Sequence, residues 1–169
     1  MSSVCRNLRD RRSPVNVNLP DERAVVRSLT LRRPQRYAEK MIISVGVDLV
    51  EVERIRAALE SPRTGLRFRS RVYTEEEIAY CEKKQRGRFE SYAGRFAAKE
   101  AVMKALGRGW GAQVRWLDIE VARTRSGKPE IVLYNKAALL AQQLGIRSWA
   151  LSITHTAQHG LAYVIAQNA

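Results

Sequence analysis

Gly94-Arg95-Phe96-Ala97-Ala98-Lys99-Glu100-Ala101-Val102-Met103-Lys104-Ala105-Leu106-Gly107 is the stretch on which the reading of this chain turns. Its alanines, lysines and glutamate are good helix formers. Gly107 is a natural helix stop, and Gly109-Trp110-Gly111 breaks the chain just beyond it. At ~100° per residue, Phe89, Tyr92, Phe96 and Met103 fall on one apolar stripe. Glu100 falls on the same stripe, ~40° from Phe96, and Lys99 lies on its other edge, ~60° away. A carboxylate on a packing face needs a partner, because an unpaired buried charge is costly. A divalent metal or a nearby cation would serve. So would an ordinary exposed pair with Lys104 at i,i+4, worth about 0.3 kcal/mol. The helix alone does not separate these readings.

Before that helix, Ile42–Val50 alternates as a strand. Ser44, Gly46 and Asp48 share one face, with Asp48 near the carboxyl end and Gly46 leaving room beside it. Glu51–Ala58 reads as a helix with Val52, Ile55 and Leu59 on one face, ended by Ser61-Pro62-Arg63-Thr64-Gly65. Arg63, Arg67, Arg69 and Arg71 then surround Leu66, Phe68 and Val72, a mixture suited to an acidic partner. Thr74-Glu75-Glu76-Glu77 is a capping box that opens a helix through Lys84. Arg86–Arg88 makes a basic connection into the long helix.

Beyond the long helix, Leu117–Arg123 and Glu130–Leu133 read as a hairpin turned at Arg125–Pro129. Ala137–Leu144 is a helix closed by Gly145. Trp149–Thr154 and Leu161–Ala166 form a second hairpin, with His155 at the end of its strand and His159 in the turn.

The 169 residues suffice for one domain with a single core. No apolar run approaches the ~20 residues of a membrane span. Cys5 and Cys81 are the two cysteines, outside any CxxC pattern, which suits a reducing, cytoplasmic setting. The net charge of +13 calls for an anionic partner. Residues 1–40 are rich in arginine and broken by Pro14, Pro20 and Pro34, with a short helix possible over Asp21–Leu31. They are expected to form a flexible basic extension ahead of a domain at 41–169, with Met41 as the natural start.

The chain has no P-loop, GxGxxG, GxSxG or HExxH, and no zinc-finger spacing. What remains is Asp48 and Glu100 in apolar surroundings, with Arg95, Lys99 and Lys104 around the second. Two carboxylates with lysines suit a magnesium-assisted phosphoryl site, because the ion takes hard oxygens and keeps water and substrate phosphate. A basic nucleic-acid-binding module without catalysis is the rival reading. It lacks the stacking aromatics such a surface uses.

Four stretches together resemble the holo-[acyl-carrier-protein] synthases, the small 4′-phosphopantetheinyl transferases. They are Ile43–Ile55, Arg71–Glu77, Gly94–Gly107 and Leu151–Thr156, in the family's order. The resemblance spans 41–169 and omits 1–40. It implies a single-domain α+β fold, a small antiparallel sheet packed against helices. It implies transfer of the phosphopantetheine arm of coenzyme A to a serine of apo acyl carrier protein, for fatty acid biosynthesis. By position, Asp48 and Glu100 match the family's magnesium ligands, and Lys99 and Lys104 match basic positions at the pyrophosphate. Glu100, or a water on the metal, would take the serine proton. Arg95, the turn after Gly107, His155 and Thr156 match positions lining the nucleotide site, with Arg86 and Arg88 offered to the 3′-phosphate. Arg54 matches a carrier-protein contact, with Arg63 and Arg67 as helpers. Relatives of this length are trimers with the site between neighbours. No membrane or nucleic acid is implied.

Overall fold

A computed structural model describes residues 41–107 and 114–169. The expected extension at 1–40, its short helix, and the Gly109-Trp110-Gly111 break lie outside those residues. In chain order the elements are strand β1 (Ile42–Glu51) and helices α1 (Val52–Glu60), α2 (Gly65–Val72), α3 (Glu75–Glu82) and α4 (Arg88–Ala105). A 3-10 turn at Trp116–Asp118 leads into strands β2 (Ile119–Arg123) and β3 (Pro129–Leu133). Helix α5 (Asn135–Gln143) and strands β4 (Ser148–His155) and β5 (His159–Gln167) complete the chain. The three-stranded sheet runs β1-β5-β4, and β2 pairs with β3; both sheets are antiparallel.

Helix α4 is the axis of the fold. Every residue from Tyr92 to Ala105 is buried except Glu100, which is half-buried, and Lys104, which is exposed. The single apolar stripe read from the sequence is thus too narrow. A helix covered on most of its circumference lies inside the protein rather than on it. It lies against one face of the three-stranded sheet through small residues. A Cβ on Gly46 of β1 would stand 1.9 Å from the Ala101 carbonyl oxygen, and one on Gly160 of β5 would stand 2.9 Å from the Ala93 carbonyl carbon. Glycine at both places lets helix and strands approach more closely than any side chain would permit.

The alternation of β1 holds, and the structure shows which way it faces. Ser44, Gly46, Asp48 and Val50 point in toward α4, while Ile43, Val45, Val47 and Leu49 point outward and are exposed. Tyr163 on the paired strand is exposed on that same outer face, opposite Val47. The sheet therefore carries an apolar face that nothing within the described residues covers.

The capping box forms as read. Glu77 N donates to Thr74 Oγ1, and Thr74 N donates to Glu77 Oε2. Gly107 and Gly145 end their helices with φ of 68° and 74°. Residues 65–72, read from sequence only as a basic docking stretch, form α2. Leu117 belongs to the 3-10 turn rather than to β2, and His159 opens β5 rather than sitting in the turn.

Candidate active site

Strand β1 and helix α4 bring Asp48, Glu100 and Lys104 together. Lys104 Nζ donates to Asp48 Oδ1 and to the Val47 carbonyl, both at 2.9 Å. The Asp48 side chain is only 16% exposed. Glu100 stands close enough for the charges to interact. Burial first, then the Asp48 charge, push its carboxyl above the usual range, while Lys104 and Arg54 pull the other way. Lys104 thus pairs across elements with Asp48, not one turn back with Glu100 as an ordinary helix pair would. Among the described residues, no cluster of three or more His, Cys, Asp or Glu gathers. A metal here would take two carboxylates from the protein. That fits magnesium, which leaves its other positions to water and substrate phosphate.

Lys99 does not join that group. Its side chain is 0% exposed and pairs with Glu77 Oε2 at 2.7 Å, itself 0% exposed. Its remaining protons go to the Val72 carbonyl at 2.7 Å and the Trp116 carbonyl at 3.1 Å. All three donors of the ammonium are consumed inside the protein. The role at the pyrophosphate implied for Lys99 is therefore corrected. The helical wheel placed it at the edge of a stripe, but the buried surface of the helix extends well past that edge.

Arg95 is buried and lies over the Tyr80 ring at 3.9 Å. Its Nη1 donates to the Ser91 carbonyl at 3.3 Å, and its buried Nε has no hydrogen-bond partner among the described residues. It borders a cavity of about 180 Å³ shared with Tyr80, Arg123, Ile153 and His155. Arg123 also lies over Tyr80, at 4.9 Å, and donates to its hydroxyl at 2.6 Å. Two guanidiniums on one ring, with a histidine on the same cavity, make a cationic recess suited to a phosphorylated ligand. Ile153 and Asp48 occupy the same row of the sheet, one on each side of Ala162. Ile153, which lines the cavity, and Asp48 are thus about 10 Å apart along that row, backbone to backbone.

Other expected residues take varied places. Gly107 ends α4, its N–H bonded to the Lys104 carbonyl at 2.9 Å, so the chain leaves the helix within a turn of the centre. Thr156 forms the β4–β5 turn, where its Oγ1 accepts N–H from Gln158 and His159 and its own N–H reaches the His159 carbonyl. Arg88 is paired with Glu82 at 3.0 Å and lies over the Phe89 ring, and it is not among the residues lining the cavity. Arg86 is exposed in the turn before α4. Arg54 is exposed on α1 yet near enough to lower Glu100. Arg63 is exposed in the turn before α2. Arg67 rims a groove of about 720 Å³ between α2 and α3, beside Leu66, which is 76% exposed.

Sequence reading missed Tyr80, Arg123 and the second role of Glu77. Tyr80 and Arg123 meet across 43 positions of chain, and no local pattern announces such a contact. Glu77 was visible only through its capping box.

The sequence model of the 4′-phosphopantetheinyl transferase superfamily matches residues 44–162. A holo-[acyl-carrier-protein] synthase of Solibacter usitatus is 55% identical over 128 residues, covering 76% of this chain and 100% of that relative. Two solved structures are similar. The Helicobacter pylori holo-[acyl-carrier-protein] synthase in complex with coenzyme A has TM-score 0.62 and 32% identity, covering 72% of this chain and 98% of that one. The Bacillus anthracis enzyme in complex with CoA (3′,5′-ADP) has TM-score 0.62 and 34% identity, covering 76% and 99%. The chain belongs to the 4′-phosphopantetheinyl transferase superfamily, and within it to the holo-[acyl-carrier-protein] synthases.

Proposed function

We infer that this chain transfers the 4′-phosphopantetheine arm of coenzyme A to a serine of apo acyl carrier protein, the activation step that fatty acid biosynthesis requires. The observation that carries this is the meeting of Asp48, Glu100 and Lys104 on β1 and α4, within a chain of this family. The serine oxygen bonds to the phosphorus bearing pantetheine. The bond from that phosphorus to the bridging oxygen breaks, and adenosine 3′,5′-bisphosphate leaves with the electron pair. The serine proton passes to Glu100 or to a water held beside it. Lys104 is placed to hold pyrophosphate charge once it leaves Asp48. A magnesium ion, held by Asp48 and Glu100, would neutralise charge growing on the leaving phosphate.

The cavity under Arg95 and Arg123, lined also by His155, takes the phosphorylated nucleoside end of the coenzyme. Arg54 stands beside the centre, and Arg67 with Leu66 lies along the neighbouring groove; together they receive an acidic face of the carrier. The outward apolar face of β1 and β5 is covered by further copies of the chain, assembled as a trimer. Residues 41–169 form the catalytic domain, and residues 1–40 extend it. The enzyme works in the cytoplasm. Among the described residues, no helix is long and apolar enough to cross a membrane.

Incubation with apo carrier protein, coenzyme A and magnesium tests the activity, read by intact mass of the carrier. One added phosphopantetheine is expected. An unchanged mass, with carrier and coenzyme shown competent by another transferase, would contradict it.

A further inference from the structure

The buried pair Lys99–Glu77 ties more of the fold together than one ion pair needs to. Lys99 Nζ reaches the last residue of α2 through the Val72 carbonyl and the 3-10 turn through the Trp116 carbonyl. Glu77 accepts from Lys99 and from Thr74 N on Oε2, and from Val121 N of β2 at 2.9 Å on Oε1. Four elements and a turn therefore converge on two charges with no access to water. Breaking such a pair strands a buried charge, so its geometry is strongly enforced. Lys99 is adjacent in sequence to Glu100, and their side chains leave α4 about 100° apart. One is sealed between helices and the hairpin; the other turns toward Asp48.

We propose that Lys99 is a positioning residue: with Glu77 it fixes the rotation and height of α4 at the turn that bears Glu100, and so sets Glu100 against Asp48 without touching substrate. The proposal rests on the reading that Glu100 belongs to the reacting centre. It departs from any direct role for Lys99 at the pyrophosphate, and the two make different predictions.

The test compares wild type with Lys99→Met, Lys99→Arg and the double variant Glu77→Gln/Lys99→Met. Transfer is assayed with coenzyme A, magnesium and apo carrier protein, at a temperature where each variant is folded by circular dichroism. Lys99→Met should lower kcat by about tenfold or more while leaving KM for coenzyme A within about threefold, as expected when an unseated group acts only in the transition state. Lys99→Arg should fail similarly, because a planar guanidinium does not deliver three protons to the same acceptors although the charge is kept. The double variant should recover about fivefold or more of the kcat lost in Lys99→Met, since neither partner is left as an unmatched buried charge.

A tenfold or larger rise in KM for coenzyme A with unchanged kcat in Lys99→Met, or near-normal constants in Lys99→Arg, would overturn the proposal in favour of a direct phosphate ligand. Wild-type constants in folded Lys99→Met would overturn it in favour of a brace without effect on the centre. If Lys99→Met does not fold, the arginine and double variants report the same two constants. Glu100→Gln is the separate control. If it retains transfer, the reading of the centre falls, however the Lys99 variants behave.

Discussion

Glu100 bears the energetic cost of the site at the scale of a single residue. Burial and the Asp48 charge raise its carboxyl, so the folded chain binds that proton more tightly than the unfolded chain does. Stability from this group is therefore present below the usual carboxylate range and lost as pH rises through the raised value. Where it is ionised, Glu100 costs stability, and Glu100→Gln, which removes that charge, should raise the melting temperature of metal-free protein at about pH 7.5 while lowering transfer by about 100-fold or more. A differential scan in chelator, beside the transfer assay, checks both. Asp118 has the opposite sign. Burial works against its charge, but the Arg115 N–H and guanidinium and the Asn135 amide outweigh it and hold its carboxyl below the usual range. Its contribution is present above the unfolded value and lost as pH falls through the lowered one. Asp118→Ala should therefore cost about 3 kcal/mol near neutral pH, measured by urea unfolding, and the gap to wild type should narrow as pH drops below the usual carboxylate range.

Between elements, the contact of α4 with β1 is the one the chemistry depends on. Gly46→Ala would drive a methyl to within 1.9 Å of the Ala101 carbonyl oxygen, one residue from Glu100 and on the strand face that bears Asp48. It should cost about 3 kcal/mol in denaturant and lower kcat more than it changes KM for coenzyme A. Much at this scale was legible in the sequence. The alternation of β1, the capping box at Thr74, the glycine stop at Gly107 and both hairpins are local patterns with local causes. Two features were not. Spacing showed which residues of β1 share a face, but not that the small and polar set faces in. An outward apolar residue such as Val47 reads like a core one. The periodicity of α4 placed Lys99 on an edge, while its burial depends on Glu77, 22 positions back, and on the Val72 and Trp116 carbonyls. Those contacts exist only once α2, α3 and the 3-10 turn have closed around the helix. The Asp48–Glu100 grouping was read from their residue types and apolar surroundings and strengthened by the family resemblance; the individual elements did not require it.

For the molecule as a whole, charge and the open sheet face set the behaviour. A net +13 meeting two anionic substrates should make kcat/KM fall about fivefold between about 50 and 300 mM potassium chloride, with the loss mainly in KM. Val47→Glu places a charge in the centre of the outward apolar face, where Val47 is 49% exposed and Tyr163 lies opposite it. If the face joins copies of the chain as proposed, light scattering should show the trimer converted to single chains, with transfer reduced. In the proposed function, Asp48 and Glu100, 52 residues apart in sequence, would hold one ion between them. Binding of manganese as a magnesium substitute, titrated by electron paramagnetic resonance in the presence of coenzyme A, tests it most directly. One ion per chain is predicted for wild type, weakened about tenfold or more by Asp48→Asn and equally by Glu100→Gln. Undiminished manganese affinity in either folded variant would contradict it.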